Sequence, residues 1–228
     1  MSDQDESPNL QESLITTIGK ANLAEAVADV GEVGIDQLLD ESVIRDIPFL
    51  GLLVRAARTF GVVRDWLFAR KVVRFFKRLS EIPRKDRERF VQQHENSTDR
   101  QHLGETLMLL LDRHDDMEKP DPLARLFAGY MRGEYDFETF RRLAGALDRL
   151  PLSAIPELQK LYEAQEHYLG GQPVPRPGPY HSQFIASGLV DIAFMRTGPT
   201  GGPGGYYAKN ELGKLFLRVL TEPGMAAQ

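Results

Sequence analysis

The chain of 228 residues contains no cysteine. This absence excludes disulfide bonds, thiolate-bound metal ions and a cysteine nucleophile, and it is typical of proteins in a reducing compartment. The first nine residues are polar and acidic, so they lack the positive start and the apolar core of a secretory signal. We therefore expect a cytoplasmic protein, with peripheral attachment to a membrane as the alternative.

Long apolar runs are missing as well. The most apolar stretch, residues 47–54, has eight residues, whereas a transmembrane helix needs about 20 largely uncharged ones. Arg55, Arg58 and Arg64 interrupt every longer window. The sequence thus predicts no transmembrane helix. Because 42% of the residues are hydrophobic, the chain can still bury a sizeable core.

Acidic and basic residues are separated along the chain, although the formal net charge is only −5. Residues 1–44 hold ten acidic residues and one basic residue, whereas residues 45–90 hold thirteen basic and five acidic residues. Since opposite charges attract, we expect the acidic segment to lie on the basic one. An external partner of the basic segment then has to compete with residues 1–44.

The central segment, residues 47–79, carries two apolar stripes at helical spacing. The first runs from Phe49 to Leu67, and the second is rotated by roughly 180° from it. Such a rotation predicts two amphipathic helices, or one long helix buried on two sides, with a break near residues 61–66. The second stripe consists of Ala69, Val72, Val73, Phe76 and Leu79.

Basic and aromatic side chains alternate in the same segment, where Phe68, Phe75 and Phe76 lie among the cations. This mixture suits an anionic membrane surface or a nucleic acid. The alternative is a core helix with a solvated basic face. The candidate binding surface predicted from the sequence consists of Arg64, Trp66, Arg70, Lys71, Arg74, Lys77 and Arg78.

Helical signals continue on both sides of this segment. Apolar spacing over residues 14–39 predicts two short helices near Gly31 and Gly34. A charged helix is expected from Arg84 to about Gln93. Asp121 and Asp136 are typical helix caps, with Pro122 at the first position of its helix. We expect a mainly α-helical bundle over residues 11–169 after a disordered tail, residues 1–10.

The pattern changes after a proline-rich linker at residues 170–179. A short helix over 180–187, a strand over 189–195, a glycine-rich turn over 198–205, a second strand at 206–207 and a helix capped by Asn210 are predicted. These residues, 180–222, form a small α+β module with a β-hairpin, followed by a tail at 223–228.

Two resemblances accompany these patterns. The segments 184–190 and 206–213 resemble winged-helix modules, in which Gly-Leu-Ile/Val opens the wing and Tyr-x-Leu-Thr-x-x-Gly closes it; here Lys209-Asn210 replaces Leu-Thr. The segments 47–51, 63–71 and 123–130 resemble a family of uncharacterised bacterial helical proteins, which in turn resembles abortive-infection proteins. The second resemblance implies a bacterial origin and no particular activity.

A winged-helix module implies DNA binding or protein binding. The short helix over 180–187 contains no arginine or lysine, although base recognition in the major groove relies on these residues. A structural or protein-binding wing is therefore favoured over a DNA-binding one. The candidate nucleic-acid contacts of the module are Gln183, Arg196, Lys209 and Lys214.

No residue cluster in the sequence specifies a reaction. Asp112, His114, Asp115 and Asp116 bring oxygen and nitrogen ligands together, but no histidine pair at i,i+4 accompanies them. The serines lack a nucleophile elbow, and the glycines at 201–205 lack the Gly-Lys-Ser/Thr of a phosphate loop. We predict no catalytic residue, no metal site and no cofactor.

The sequence thus predicts a non-enzymatic regulatory or interaction protein that acts by protein binding, with weak nucleic-acid contact through the wing. Two alternatives stay open. One is a membrane-directed effector of a bacterial phage defence system that uses residues 47–79, and the other is a winged-helix transcriptional regulator. Neither the partner nor the oligomeric state follows from the sequence.

Overall fold

The computed structural model describes residues 10–28, 47, 49–53, 63–94, 96–167, 179–195 and 204–221. Within these ranges the chain is mainly helical, with one small antiparallel sheet of two strands. This confirms the predicted mainly α-helical class. The chain divides into two compact units between Glu134 and Tyr135, which is well before the expected linker at 170–179.

The described part of the first unit contains six helices, and residues 49–53 are also helical. Their ends follow local signals, because Asn96 caps the fifth helix by accepting a hydrogen bond of 3.0 Å from the backbone N–H of Thr98. The predicted helix from Arg84 to Gln93 is confirmed. The helices are α1 (Leu10–Ile18), α2 (Leu23–Ala28), α3 (Val63–Leu79), α4 (Arg84–Gln93), α5 (Ser97–Arg113) and α6 (Pro120–Met131).

The break between the first two helices comes earlier in the chain than the glycines at 31 and 34 suggest. Helix α1 ends at Ile18 and α2 begins at Leu23, while residues 29–46 lie outside the described residues. Helix α1 packs closely on α5 at Gly104, where a Cβ atom would overlap the backbone carbonyl of Gln11. Glycine is therefore needed at this crossing, and Leu14 is fully buried beside it in the core.

Phenylalanine side chains form the centre of the first unit. Phe75 and Phe76 of α3 are fully buried. The ring centroid of Phe76 lies 6.2 Å from that of Phe49, and the centroid of Phe75 lies 5.9 Å from that of Phe127. Phe90 of α4 meets Phe127 edge-on at 5.4 Å. Each such pair contributes about 0.5–1.5 kcal/mol beyond its buried area, so these rings hold α3, α4 and α6 together.

A buried arginine connects α4 to the end of α1. Arg87 is 2% exposed, and its Nη1 donates to the carbonyl oxygens of Ile18 at 2.7 Å and Lys20 at 2.9 Å. Its Nε donates to the carbonyl of Ile82 at 3.3 Å. Carbonyl groups at a helix C-terminus lack intrahelical partners and carry partial negative charge. Burial lowers the pKa of Arg87, because desolvation disfavours the charged form.

The second unit combines helices with the two-stranded sheet. The strands pair antiparallel, from Val190 opposite Lys209 to Met195 opposite Gly204. The helix, strand, strand, helix order agrees with the prediction, although the expected turn lies almost entirely outside the described residues. The elements are α7 (Phe137–Arg149), a 3₁₀ turn (Leu152–Ala154), α8 (Ile155–His167), α9 (His181–Ala186), β1 (Val190–Met195), β2 (Gly204–Lys209) and α10 (Glu211–Thr221).

Two predicted helix caps are confirmed in this unit. The side chains of Asp136 and Asn210 each accept a hydrogen bond of 2.8 Å from the backbone N–H of the third residue of the following helix. The amide nitrogen of Asn210 also donates to the carbonyl of Gly188 at 3.0 Å and to the carboxylate of Asp191 at 3.1 Å. Asn210 thus connects the start of α10 to the start of β1.

Tyr162 of α8 lies at the same junction. Its hydroxyl donates to the carbonyl of Leu189 and accepts a hydrogen bond of 3.3 Å from the backbone N–H of Asn210. A Cβ atom at Gly213 would overlap this hydroxyl, so only glycine fits there. Burial raises the pKa of Tyr162. One phenol therefore joins α8, β1 and α10.

Replacing Arg87 by alanine should destabilise the first unit, because three carbonyl groups lose their donor. We expect Arg87→Ala to lower the free energy of unfolding by about 3 kcal/mol. Arg84→Ala on the same helix is the control, since Arg84 is exposed and pairs with Glu88 within α4, and its effect should stay below about 0.5 kcal/mol. Urea unfolding followed by circular dichroism measures both, and equal losses would contradict the assigned role of Arg87.

Replacing Tyr162 by phenylalanine removes the hydroxyl and keeps the ring. We expect Tyr162→Phe to lower the free energy of unfolding by about 1–2 kcal/mol, because the carbonyl of Leu189 and the N–H of Asn210 lose a partner. Tyr180→Phe is the control, because its hydroxyl makes an exposed hydrogen bond to Ser153. Differential scanning calorimetry compares the two variants. A larger loss of stability for Tyr180→Phe would contradict the role of the Tyr162 hydroxyl at this junction.

Candidate binding surface

The two faces of α3 follow the predicted helical phase. All five residues of the second apolar stripe, from Ala69 to Leu79, are buried. On the opposite side, Arg70 and Lys77 are exposed. Leu67, the last residue of the first stripe, is 42% exposed, which is contrary to the expectation of a buried stripe. We call Leu67, Arg70, Arg74 and Lys77 the basic face of α3.

Only some aromatic residues of the segment are accessible beside the basic face of α3. Phe75 and Phe76 lie in the core, whereas Trp66 and Phe68 are half-buried. The side chain of Arg64 lies outside the described residues. The expected mixture of cations and aromatic rings on one surface is therefore reduced to cations with Leu67, Trp66 and Phe68.

Lys71 belongs to the core rather than to the basic face. It is 8% exposed, and its Nζ donates to the carbonyl of Asp112 at 3.2 Å and to the carbonyl of His114. Lys71 precedes Phe75 by one turn and lies at the edge of the buried arc of α3. Its ammonium group thus binds the C-terminal end of α5, where free carbonyl groups attract a cation.

Arg74 is paired with an acidic residue of α6. Its Nε and Nη2 lie 2.8 and 2.7 Å from Oδ2 of Asp121, and the hydrogen bond to Asp121 raises the pKa of Arg74. The sequence predicts Asp121 as a helix cap, but α6 begins at Pro120 and the N-cap residue is Lys119. Asp121 therefore lies inside the first turn, where its carboxylate is directed to Arg74.

One turn further along the two helices are two more arginines, Arg78 in α3 and Arg125 in α6. Arg78 of α3 pairs with Glu81 at 2.6 Å. Burial, followed by the positive charge of Arg78, lowers the pKa of Arg125 in α6. Arg74, Arg78, Asp121 and Arg125 thus form one charged group where α3 packs on α6. We call these residues with Glu81 the charged ladder.

Arg125 is the member of the charged ladder that sequence reasoning misses. Nothing local to α6 indicates that it lies beside α3. The available signal is spacing, because Asp121 and Arg125 are four residues apart, as are Arg74 and Arg78. Equal spacing of charges in two helices shows which residues meet only when the relative placement of the two helices is known.

The candidate contacts of the C-terminal module are partly occupied. Lys214 pairs with Glu211 at 2.6 Å, and the Nζ of Lys209 lies 5.8 Å from the ring centroid of Tyr162. Gln183 is half-buried in α9, which has six residues. Arg196 lies outside the described residues. The module therefore offers a nucleic acid few cations from its described part.

The described part of the chain contains neither a metal-binding cluster nor a helix that could span a membrane. No group of three or more histidine and acidic residues there could hold a metal ion. His114 is buried, whereas Asp115 is exposed and lies 3.6 Å from Lys119. The helices among the described residues are also too short or too polar to cross a membrane. Most of the acidic segment 1–44 lies outside the described residues, so its expected contact with the basic segment stays a prediction.

No protein-family model matches the chain, and neither the characterised proteins nor the solved structures contain a match. The resemblances to winged-helix modules and to bacterial helical proteins stay predictions from the sequence. The charged ladder and the basic face of α3 are accordingly the features from which a function can be argued.

Lys71 and Lys77 provide a direct test of the two faces of α3. Lys71→Met keeps most of the apolar stem but removes the donor to two carbonyl groups, so we expect the free energy of unfolding to fall by about 2 kcal/mol. Lys77→Met, at an exposed position, should change it by less than about 0.5 kcal/mol. Thermal unfolding monitored by calorimetry measures the difference. Similar losses for both variants would contradict the assignment of Lys71 to the core.

Proposed function

We propose that the protein is a non-enzymatic interaction protein that binds an acidic surface of another protein through the basic face of α3. One observation carries this proposal. Arg70 and Lys77 are exposed and have no ion-pair partner among the described residues, while Leu67 beside them is 42% exposed. Cations around one apolar side chain are typical of a protein-binding surface, in which charge guides association and an apolar contact anchors it.

The same helix is less suited to the two alternative partners. Membrane-surface helices and single-stranded nucleic-acid sites use exposed aromatic side chains. Phe75 and Phe76 are buried in the core, and Trp66 and Phe68 are half-buried. The carboxylates of Asp121 and Glu81 lie beside the basic face, and they would repel a continuous array of phosphates. A protein surface that carries both signs of charge avoids this repulsion.

We further propose that residues 180–222 form a winged-helix-like module with a structural or protein-binding role. The order α9, β1, β2, α10 supports this proposal, together with the cap of α10 by Asn210. A role in DNA binding is disfavoured because Lys214 is paired with Glu211 and α9 contains no arginine or lysine.

Site-specific photo-crosslinking in living cells tests the protein-binding proposal. Benzoylphenylalanine at position 67 probes the basic face of α3, and the same residue at position 109 is the control, because Leu109 is 57% exposed on α5. We expect a protein adduct from position 67 only. Arg70→Glu with Lys77→Glu should reduce this adduct about tenfold, because charge guides the encounter.

The matched charge control is Lys85→Glu with Arg142→Glu, which changes the net charge equally at exposed positions outside the basic face of α3. This control should leave the adduct unchanged. Equal adducts from positions 67 and 109, or insensitivity to the reversal at Arg70 and Lys77, would refute the proposal. An adduct with DNA or lipid at position 67 would replace it by one of the alternatives.

A further inference from the structure

Three carboxylates lie on the short connection between α5 and α6. Asp115 and Glu118 are exposed, and Asp116 is half-buried. Asp115 lies 3.6 Å from Lys119, whereas Asp116 and Glu118 form no salt bridge among the described residues. The side chain of Asp116 accepts a hydrogen bond of 2.8 Å from the backbone N–H of Glu118, which fixes the course of this connection. We call residues 115–118 the acidic loop.

The acidic loop is attached to α3 on both sides. Before the loop, the Nζ of Lys71 donates to the carbonyl of Asp112 at 3.2 Å. After the loop, Arg74 pairs with Asp121 at 2.7 Å. Both anchoring side chains belong to the same turn of α3, and the exposed cations of the basic face of α3 lie within one turn of them. The acidic loop and the basic face of α3 are therefore neighbouring parts of one surface.

This surface carries opposite charges on its two halves. Arg70 and Lys77 on the positive half form no salt bridge among the described residues, and neither do Asp116 and Glu118 on the negative half. The ion pair that joins α3 to α6 marks where the two halves meet. A partner that satisfies both halves must therefore carry the same two signs in the reverse order.

We propose that the acidic surface bound by the basic face of α3 is the acidic loop of a second copy of this chain, so that the protein forms a symmetric dimer. This inference rests on the proposed function and names the partner. A rotation by 180° about an axis between the two halves places the positive half of each copy on the negative half of the other. The same attractive contact is then made twice.

The apolar side chains of the two halves fit the same arrangement. Leu67 is 42% exposed on the positive half, one turn before Arg70. Met117 is half-buried within the acidic loop. The rotation that places cations on carboxylates also brings Leu67 of one copy to the half that holds Met117 of the other. A methionine side chain adapts readily to such a contact, and an apolar contact within a charged rim is typical of protein interfaces.

Two complementary charge reversals provide the test. The first variant, Arg70→Glu with Lys77→Glu, reverses the positive half. The second variant, Asp116→Asn with Glu118→Lys, reverses the negative half and keeps a side-chain oxygen that accepts from the backbone N–H of residue 118. If a double variant loses the circular dichroism of the folded protein, Lys77→Glu and Glu118→Lys alone give the same comparison with a smaller effect.

Sedimentation equilibrium of the purified full-length protein measures the dissociation constant of the dimer. We expect the unchanged chain to dimerise at micromolar concentration. Each variant should dimerise about tenfold more weakly, because charges of the same sign then face each other across the interface. Circular dichroism should show that both variants keep their helical structure, since the changed side chains lie at the surface.

An equimolar mixture of the two variants gives the most specific result. In a mixed dimer the reversed positive half faces the reversed negative half, and the two unchanged halves face each other. Both contacts are then attractive again, so we expect the mixture to dimerise within about threefold of the affinity of the unchanged chain. Self-association through any other surface would not recover in this way.

The matched controls change the same charges outside this surface. Lys85→Glu with Arg142→Glu matches the first variant, and Glu138→Lys with Glu163→Gln matches the second. All four residues are exposed, and none belongs to the basic face of α3 or to the acidic loop. Both controls should leave the dissociation constant unchanged, so an equal loss in the controls and in the variants would refute the pairing of the two halves.

Several outcomes would overturn the inference. A chain that stays monomeric at micromolar concentration has no such dimer, and a dimer of equal affinity in both variants uses a different surface. A weaker dimer in the first variant alone would place the acidic partner of α3 elsewhere in the chain. A mixture that dimerises no better than its components would exclude the two-fold arrangement.

The inference can also fail without the proposed function. A crosslink at position 67 that yields a product of twice the mass of the chain supports the dimer. If the crosslink captures a different protein and the purified chain is monomeric, protein binding through the basic face of α3 stands and the dimer falls. If position 67 yields no protein adduct and the purified chain is monomeric, both proposals fall.

Discussion

Cations at the ends of helices hold the first unit together. Arg87 binds carbonyl groups at the C-terminal end of α1, and Lys71 binds those at the end of α5. At the end of α4, Arg100 donates to the carbonyls of His94 at 2.6 Å and Val91 at 3.2 Å. A helix that ends in the interior has carbonyl groups that water does not reach, and leaving them unpaired is costly. Each cation comes from a different helix, so each contact also fixes the position of one helix against another.

This use of cations changes the meaning of the positive charge in residues 45–90. Lys71 and Arg87 are used inside the protein, and Arg74 and Arg78 are held by acidic neighbours. Among the described residues of this segment, the cations that face solvent are a smaller set, Arg70 and Lys77 on α3 with Arg84, Lys85 and Arg89 on α4, and carboxylates accompany them. A high local charge in the sequence therefore does not measure the capacity for external binding, and the pattern of both signs is more informative than the total.

Features with local causes could be predicted from the sequence. The caps at Asp136 and Asn210 and the bounds of α4 depend on residues within one turn, and the buried stripe of α3 depends on helical period alone. The burial of Lys71 and Arg87 could not be predicted, because it depends on which helix ends lie beside them. The prediction of Asp121 as a helix cap is wrong because α6 begins one residue earlier, at Pro120. Its pairing with Arg74 has no local signal, since the two residues are 47 positions apart.

The candidate binding surface is likewise only partly predictable from the sequence. Arg74 and Arg78 could be named from the basic pattern, whereas the places of Arg125 and Asp121 depend on the packing of α3 on α6. Leu67 is exposed, although the helical pattern places it in a buried stripe. The pattern gives the length of the stripe, but it does not show at which residue the packing against other helices ends.

Two contacts between α3 and α6 have a consequence for the tolerance of this junction to sequence change. Arg74 pairs with Asp121, and the neighbouring Phe75 packs on Phe127, so both contacts depend on the same spacing within α6. Inserting or deleting one residue between Asp121 and Phe127 would rotate these two side chains against each other by about 100°, so both contacts could no longer form together. A substitution can change one contact at a time, but a change of length cannot, so this part of α6 should accept replacement of residues far more readily than insertions or deletions.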